Sequence, residues 1–255
     1  MPAIDLVTFI ERVPREFAAA WAIARKDMRT YYIRPNIIVM GILFPLFMFL
    51  AFAIGRTDPP GTLIPGLIAI TILFSASSIE PVSIPIERRV KTFDRLISAP
   101  ISMHSLVLGE SMSGFLYSLG IAMFPLAIGI IVFRTPIVSV FALVIGLVLG
   151  AFCFATMGTL LASYPTENVG DVMSVLNLIR LPLIFISGVF IPIATMPQIG
   201  QVIAYLSPLT YANDLIQYGY SNTTHFGILI DIIVLFVYIL LFQFIAHGLY
   251  KKFNE

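Results

Sequence analysis

Apolar residues along this chain fall in six long blocks separated by short polar joints, at residues 36–55, 63–86, 106–133, 137–162, 172–192 and 226–247. A helix of roughly 20 mostly apolar residues crosses about 30 Å of hydrocarbon, so each block predicts a transmembrane span. The first holds no charge and stops at Arg56, Asp58 and the turn signal Pro59-Pro60-Gly61. The second carries Glu80 and prolines at 65, 81 and 85, and the third enters the hydrocarbon after Glu110. Only Arg134-Thr135-Pro136 separates blocks three and four, which sets them as an antiparallel pair. Block five carries Arg180 and block six Asp231. No joint reaches the roughly 50 residues of a small domain. The expected fold is therefore an all-α integral membrane protein, a single transmembrane domain over residues 1–255 with six transmembrane helices.

The positions of the basic residues orient the spans. Arg12, Arg15, Arg25, Lys26, Arg29 and Arg34 precede the first block; Arg88, Arg89, Lys91 and Arg95 lie in the joint 87–105; Lys251 and Lys252 lie in the tail. The opposite side has Arg56 and Arg134 only, because 193–225 contains no Lys or Arg. The positive-inside rule then makes both termini cytoplasmic, in a cell membrane crossed several times. Composition agrees, with 58% hydrophobic and 11% charged residues against about 25% charged in soluble domains. A net charge of +1 offers no basic face for nucleic acid. Cys153 is the one cysteine, so no internal disulfide forms, and His104, His225 and His247 have no metal-ligand spacing. The first apolar block starts further into the chain than that of a cleavable signal peptide.

Three attachments flank the spans. In the arm 1–35, Phe17, Trp21, Ala24, Met28 and Tyr31 share one helical face and Arg15, Lys26 and Arg29 the other, the pattern of a helix lying in the membrane interface. In the joint 87–105, Phe93, Leu96 and Ile97 give a short helix an apolar face amid Arg88, Arg89, Lys91, Asp94 and Arg95. Such a helix either inserts into a groove on a soluble partner or is a solvated loop that sets topology. In 193–225, Ile199, Val202, Ile203 and Leu206 form one stripe, and Ser207-Pro208 starts a second short helix over 209–220. Neither piece is long enough to span. Together they form either a re-entrant hairpin, containing Pro197, Tyr205, Pro208, Tyr211 and Asp214, or an amphipathic surface loop. Asn222-Thr223-Thr224 matches a glycosylation sequon.

Charges within spans are costly and usually face the bundle interior. Glu80 and Arg180 fall at matching depths and are expected to pair, since a hydrogen-bonded pair recovers part of a desolvation cost of several kcal/mol. Asp231 is expected to cap its helix or meet interfacial water. Phe44, Phe47, Phe74 and Phe185 are candidates for lining an apolar substrate path, although phenylalanine packed on neighbouring spans or facing lipid is ordinary. No G-x-x-x-x-G-K-[ST] loop, nucleophile constellation or metal cluster is present. The chain is therefore not expected to be an enzyme or to bind a cofactor by itself, and its energy must come from a partner or an ion gradient.

Two stretches resemble the ABC-2 type transporter permeases, a family that includes drug, lipid and polysaccharide exporters. Glu87-Arg88, Thr92-Phe93-Asp94-Arg95-Leu96, Ala99-Pro100-Ile101-Ser102 and Leu108-Gly109-Glu110 are similar to the family segment between spans two and three. Ile186-Ser187-Gly188-Val189-Phe190-Ile191-Pro192, Met196-Pro197 and Tyr205-Leu206-Ser207-Pro208-Leu209-Thr210-Tyr211 are similar to the segment before the last span, with Asp214 at its acidic position. Val90-Lys91 stands where the family often has Glu-Gly, and Glu110 where it often has Lys. The resemblance implies a half-transporter with an interfacial helix, six spans, a coupling helix over Arg88–Leu96 and short external helices. It also implies two cytosolic ATPase subunits carrying ATP and Mg, a second permease copy, identical or related, and export of an amphipathic drug, lipid or glycan-lipid. The alternative from the residues alone is an ion-coupled secondary transporter or channel using Glu80, Arg180 and Asp231. A membrane-embedded enzyme is disfavoured by the missing catalytic cluster.

Overall fold

The computed structural model describes residues 6–54 and 60–254; Arg56 and Asp58, expected to close the first joint, lie outside the described residues. The helices are α1 (Leu6–Tyr31), α2 (Pro35–Ile38), α3 (Phe44–Ala53), α4 (Pro60–Ala76), α5 (Glu80–Arg89), α6 (Thr92–Ile97), α7 (Met103–Ala127), α8 (Val140–Ala162), α9 (Val169–Ile186), α10 (Gln198–Tyr205), α11 (Pro208–Ser221) and α12 (Ile228–Asn254). π-helical turns at Val39–Leu43 and Ile128–Val132 join α2 to α3 and extend α7. No strand occurs among the described residues. The all-α membrane fold expected from the hydrophobic blocks is the one observed. Among the described residues, five helices are long and apolar enough to cross a bilayer: Leu63–Arg89, Met103–Val132, Val140–Ala162, Val169–Ile186 and Ile228–Phe253. The first block contains a shorter apolar helix, Val39–Met48.

The helix formed by α4 and α5 is the hub. Every residue from 64 to 85 is buried, which is why its sequence tolerates serines and a carboxylate that no lipid-facing helix would carry. α8 packs against α4, α7, α11 and α12, and α9 packs against α5. The outer face of α12 shows the opposite chemistry, with Leu229, Phe236, Leu240 and Phe244 exposed as a lipid-facing helix requires. Small residues set the closest approaches. A Cβ at Gly109 would meet the Ala20 carbonyl of α1 at 2.7 Å, and one at Gly219 would meet Leu143 of α8 at 2.8 Å.

Several boundaries differ from the hydrophobic blocks. α9 ends at Ile186 rather than at residue 192, because Ser187 leaves the helical path and Gly188 takes φ +81°, a left-handed conformation that glycine adopts without steric cost. The second span is broken at residues 77–79. There Ser77 and Ser78 hydroxyls donate to the Leu73 and Phe74 carbonyls, competing with backbone bonds, and Pro81 has no N–H to continue the ladder. α12 runs on past residue 247 to Asn254. The predicted short helix over 209–220 is α11, Pro208–Ser221, and it is buried against α4, α8 and α12.

Candidate functional site

The joint between the second and third spans is folded back on the bundle. After α5, Val90 ends the helix and Lys91 takes φ 59°, which turns the chain so that α6 lies on its own protein. Phe93 is 1% exposed and sits among Ile23, Ile84, Leu106, Val172 and Tyr250, with Leu96 and Ile97 packed beside it. Its ring centroid is 6.1 Å from that of Tyr250, and the Arg88 guanidinium lies over it at 5.0 Å. The apolar face of α6, read from sequence as a possible insert into a partner, is thus spent within the chain. What α6 and the turn before it offer outward is Arg89, Val90, Lys91, Asp94 and Arg95, all exposed, with Val90 57% exposed. Arg88 donates to the Tyr164 and Ser163 carbonyls at 3.1 and 3.3 Å, and Lys91 lies 3.5 Å from Glu167. These contacts tie α6 to the joint between α8 and α9, so the two joints form one surface.

Behind that surface lies a cluster of charges that no local pattern announces. Lys26 Nζ of α1 is 2.6 Å from Glu87, 3.1 Å from Asp27 and 3.7 Å from Glu110. Tyr31 donates to Glu87 at 3.2 Å and Tyr32 to the Ser113 carbonyl at 2.7 Å. Asp27 and Glu110 are fully buried. Burial works against the Lys26 ammonium, but Glu110, Asp27 and Glu87 together hold its pKa above the usual lysine value. Burial also pushes Asp27 up to about 6, although Lys26 pulls it down. Further along α1, Ser102 and Ser105 hydroxyls donate to Glu16. The stripe expected on α1 is therefore divided: Ala24 and Tyr31 pack inward with Ala20, Ile23 and Asp27, while Phe17 and Trp21 stay exposed. A polar contact at Lys26, not an aromatic one, pins the helix at this point.

Glu80 and Arg180 meet the same helix break from different sides but do not form an ion pair with each other. Arg180 donates from Nε and Nη2 to Ser77 at 3.0 and 2.7 Å, to Ser78 at 3.0 Å, and lies 4.9 Å from the Phe74 ring centroid. Glu80 Oε1 accepts the Gly114 N–H at 2.9 Å. The expected direct pair is replaced because the serine hydroxyls exposed by the break are nearer acceptors for a planar guanidinium, which forms several bonds at once. Asp231 does not cap its own helix. Asp214 holds the turn before α12 instead, accepting the N–H groups of His225 and Phe226 at 2.9–3.1 Å, and Asp231 is buried near it. Burial raises the Asp214 pKa and those two backbone N–H groups oppose the rise.

The remaining sequence-predicted residues are placed as follows. Pro197 precedes α10, Tyr205 ends it and Pro208 opens α11. The Tyr211 hydroxyl donates to the Tyr205 carbonyl at 2.7 Å, fastening the two short helices together. Phe44 packs tilted against buried Phe74 with ring centroids 4.8 Å apart, whereas Phe47 is exposed and Phe185 packs near Phe190 at 6.0 Å. No group of His, Cys, Asp and Glu able to hold a metal ion occurs among the described residues.

Residues 18–221 match the family model "ABC-2 type transporter". The chain belongs to the ABC-2 type transporter family. It is 24% identical to the inner membrane transport permease YadH of Escherichia coli K12, over 73% of this chain and 74% of that protein. It is 28% identical to the putative transport permease ycf38 of Cyanophora paradoxa, over 75% of this chain and 70% of that protein. It is 23% identical to the probable multidrug ABC transporter permease YbhR of Escherichia coli K12, over 62% of this chain and 43% of that protein. As an ABC-2 permease it is a membrane transport component. The family match covers α6, the Lys26 cluster and the α4–α5 break, so all three lie within the part of the chain that matches the family.

Proposed function

We propose that this permease is the membrane half of an ATP-driven exporter. Both termini face the cytoplasm, and the helix through Val39–Met48 makes the sixth span. The segment from α10 to α11 is re-entrant. Two separate cytosolic ATPase subunits, holding ATP and Mg, dock on the surface made by α6 and the α8–α9 joint, and a second permease copy completes the path. The exported molecule is amphipathic, a drug, lipid or glycan-lipid, moving beside the exposed faces of α3 and α9.

The observation that carries this reading is the outward face of α6. A short helix whose apolar side is fixed to the bundle and whose polar side is presented as a rigid basic ridge suits a soluble partner that must push on the spans. The ridge sits on the hub helix through α5 and on α1 through Lys26, so a force applied there reaches the buried core without crossing a flexible linker. The ion-path alternative has less support, because Glu80 and Arg180 are occupied by Gly114 and the serines while Asp231 lies with Asp214 at the other end of α12. The test is to look for a P-loop ATPase reading frame beside this gene, as the proposal expects, and to co-purify its product with the chain. Lys91→Glu with Arg95→Glu should abolish ATPase recovery while the permease still inserts and elutes as one species. Undiminished recovery of the ATPase would contradict the docking role.

A further inference from the structure

At the end of the bundle that carries the termini, α8, α9 and α12 diverge around a half-open cavity of about 460 Å³, within the roughly 300–1,000 Å³ of small-molecule sites. Its walls are Leu161, Val172, Val175, Leu249 and Phe253, and its mouth carries Tyr164 and Asp171. This is an apolar slot opening sideways between spans, at the depth where a helix meets lipid headgroups. One charge lines the cavity and an opposite one adjoins a ring of its wall. Asp171 opens α9, where Thr166 and Asn168 hold its carboxylate at 3.1 and 2.9 Å. Lys252 stands on the last turn of α12 with its ammonium 5.9 Å from the centroid of the Phe253 ring that forms the wall. The Tyr164 side chain is exposed.

We propose that this cavity binds one phospholipid with a primary-amine headgroup, of the phosphatidylethanolamine type, from the leaflet on the side of the termini. One acyl chain fills the apolar walls. The phosphate meets Lys252 and the Tyr164 hydroxyl, and the ammonium donates to Asp171. Charge complementarity selects this occupant: an anionic headgroup would set its negative charge against Asp171, and a choline headgroup has no N–H to donate. Cytoplasmic-side pockets between spans that carry basic residues are known places for lipid headgroups. The site also adjoins the α6 surface, because Arg88 of α5 holds the Ser163 and Tyr164 carbonyls at the cavity wall. The assignment needs only that the chain lies in a bilayer and is independent of the ATPase reading.

The test is native mass spectrometry of the full-length chain, delipidated in detergent and titrated separately with dioleoyl phosphatidylethanolamine, phosphatidylcholine and phosphatidylglycerol. The expected result is one tightly held phosphatidylethanolamine per chain, with the other two bound more weakly. Val175→Trp, which fills the cavity from an exposed position, should weaken that binding about tenfold or more with the melting temperature unchanged. Asp171→Asn should remove the preference for ethanolamine over choline, and Lys252→Glu should weaken all three lipids about tenfold, the worth of one charge-assisted contact. Should Val175→Trp fail to fold, the Asp171 and Lys252 variants decide the matter from the surface. Equal affinity for all three lipids, or unaltered binding in the Asp171 and Lys252 variants, would overturn the proposal. So would a change of oligomeric state on filling the cavity, which would make a second copy the occupant.

Discussion

Two glycines on α7 receive the same substitution with opposite expected outcomes. At Gly114 a Cβ would lie 2.3 Å from the Ala76 carbonyl and 2.6 Å from Glu80 Oε1, whereas at Gly120 it would meet nothing within 4 Å. Alanine in a helix interior gains roughly 0.5–1 kcal/mol over glycine at either position through backbone entropy. At Gly114 that gain is outweighed, because the nearest atom belongs to the backbone of the broken hub helix and cannot rotate aside. Overpacking a close contact costs about 1–3 kcal/mol, and pushing α7 outward also stretches the Gly114 N–H bond to Glu80. Gly114→Ala should therefore be net destabilising by about 1–2 kcal/mol and Gly120→Ala neutral or slightly stabilising. The assay is the temperature at which the detergent-purified chain loses half its monodisperse peak, compared at one heating rate. If Gly114→Ala survives to the same temperature as Gly120→Ala or higher, α7 does not press on the α4–α5 break as described.

Other consequences can be checked with similar preparations. The exchanged pair Glu80→Arg with Arg180→Glu should not restore the folded yield lost in either single reversal, because the two side chains hold different partners; full rescue would re-establish a direct pair. Asp27→Asn should change the pH profile of stability. With Asp27 raised to about 6 in the folded chain against about 3.9 unfolded, the unfolded form releases its proton first as pH rises, so the native state loses stability between about pH 4 and 6. The variant lacks that loss and should exceed the parent above pH 6 by at most about 3 kcal/mol, converging with it near pH 4; parallel profiles would contradict the buried-carboxylate assignment. Phe93→Asp should abolish the monodisperse peak outright, since truncating a buried Phe to Ala alone costs about 3–5 kcal/mol. A well-folded Phe93→Asp protein would place that ring outside.

Five spans were legible because lipid solvent imposes one demand, apolar side chains over a fixed length, and five of the six blocks answered it with a helix of that length. Their ends were less so. The break at 77–79 arises from Ser77, Ser78 and Pro81 acting together on the backbone, and the apolar block runs through it without interruption. The α6 helix and its apolar face could be read from Phe93, Leu96 and Ile97, yet periodicity gives a face and not its neighbour, and the neighbour is α7 and α12 of the same chain. Arg180 was matched with the most conspicuous opposite charge, when hydroxyls one turn away gave a guanidinium better geometry. Lys26, Glu87 and Glu110 were each visible as charges. Their meeting depends on α1 crossing α7 at Gly109, a long-range fact of packing. A signal did exist: Glu110 within an apolar block, like Glu80, needed a partner.

The most direct measurement of the coupling claim places a photo-activated cross-linking amino acid at Val90 and, in a second protein, at Leu206, both exposed and at opposite ends of the bundle. In membranes from cells that also make the proposed partner ATPase, irradiation should join the ATPase to the position 90 protein and leave the position 206 protein free of it. Cross-linking from position 206, or none from position 90 while the complex is intact, would contradict both the docking surface and the orientation of the chain.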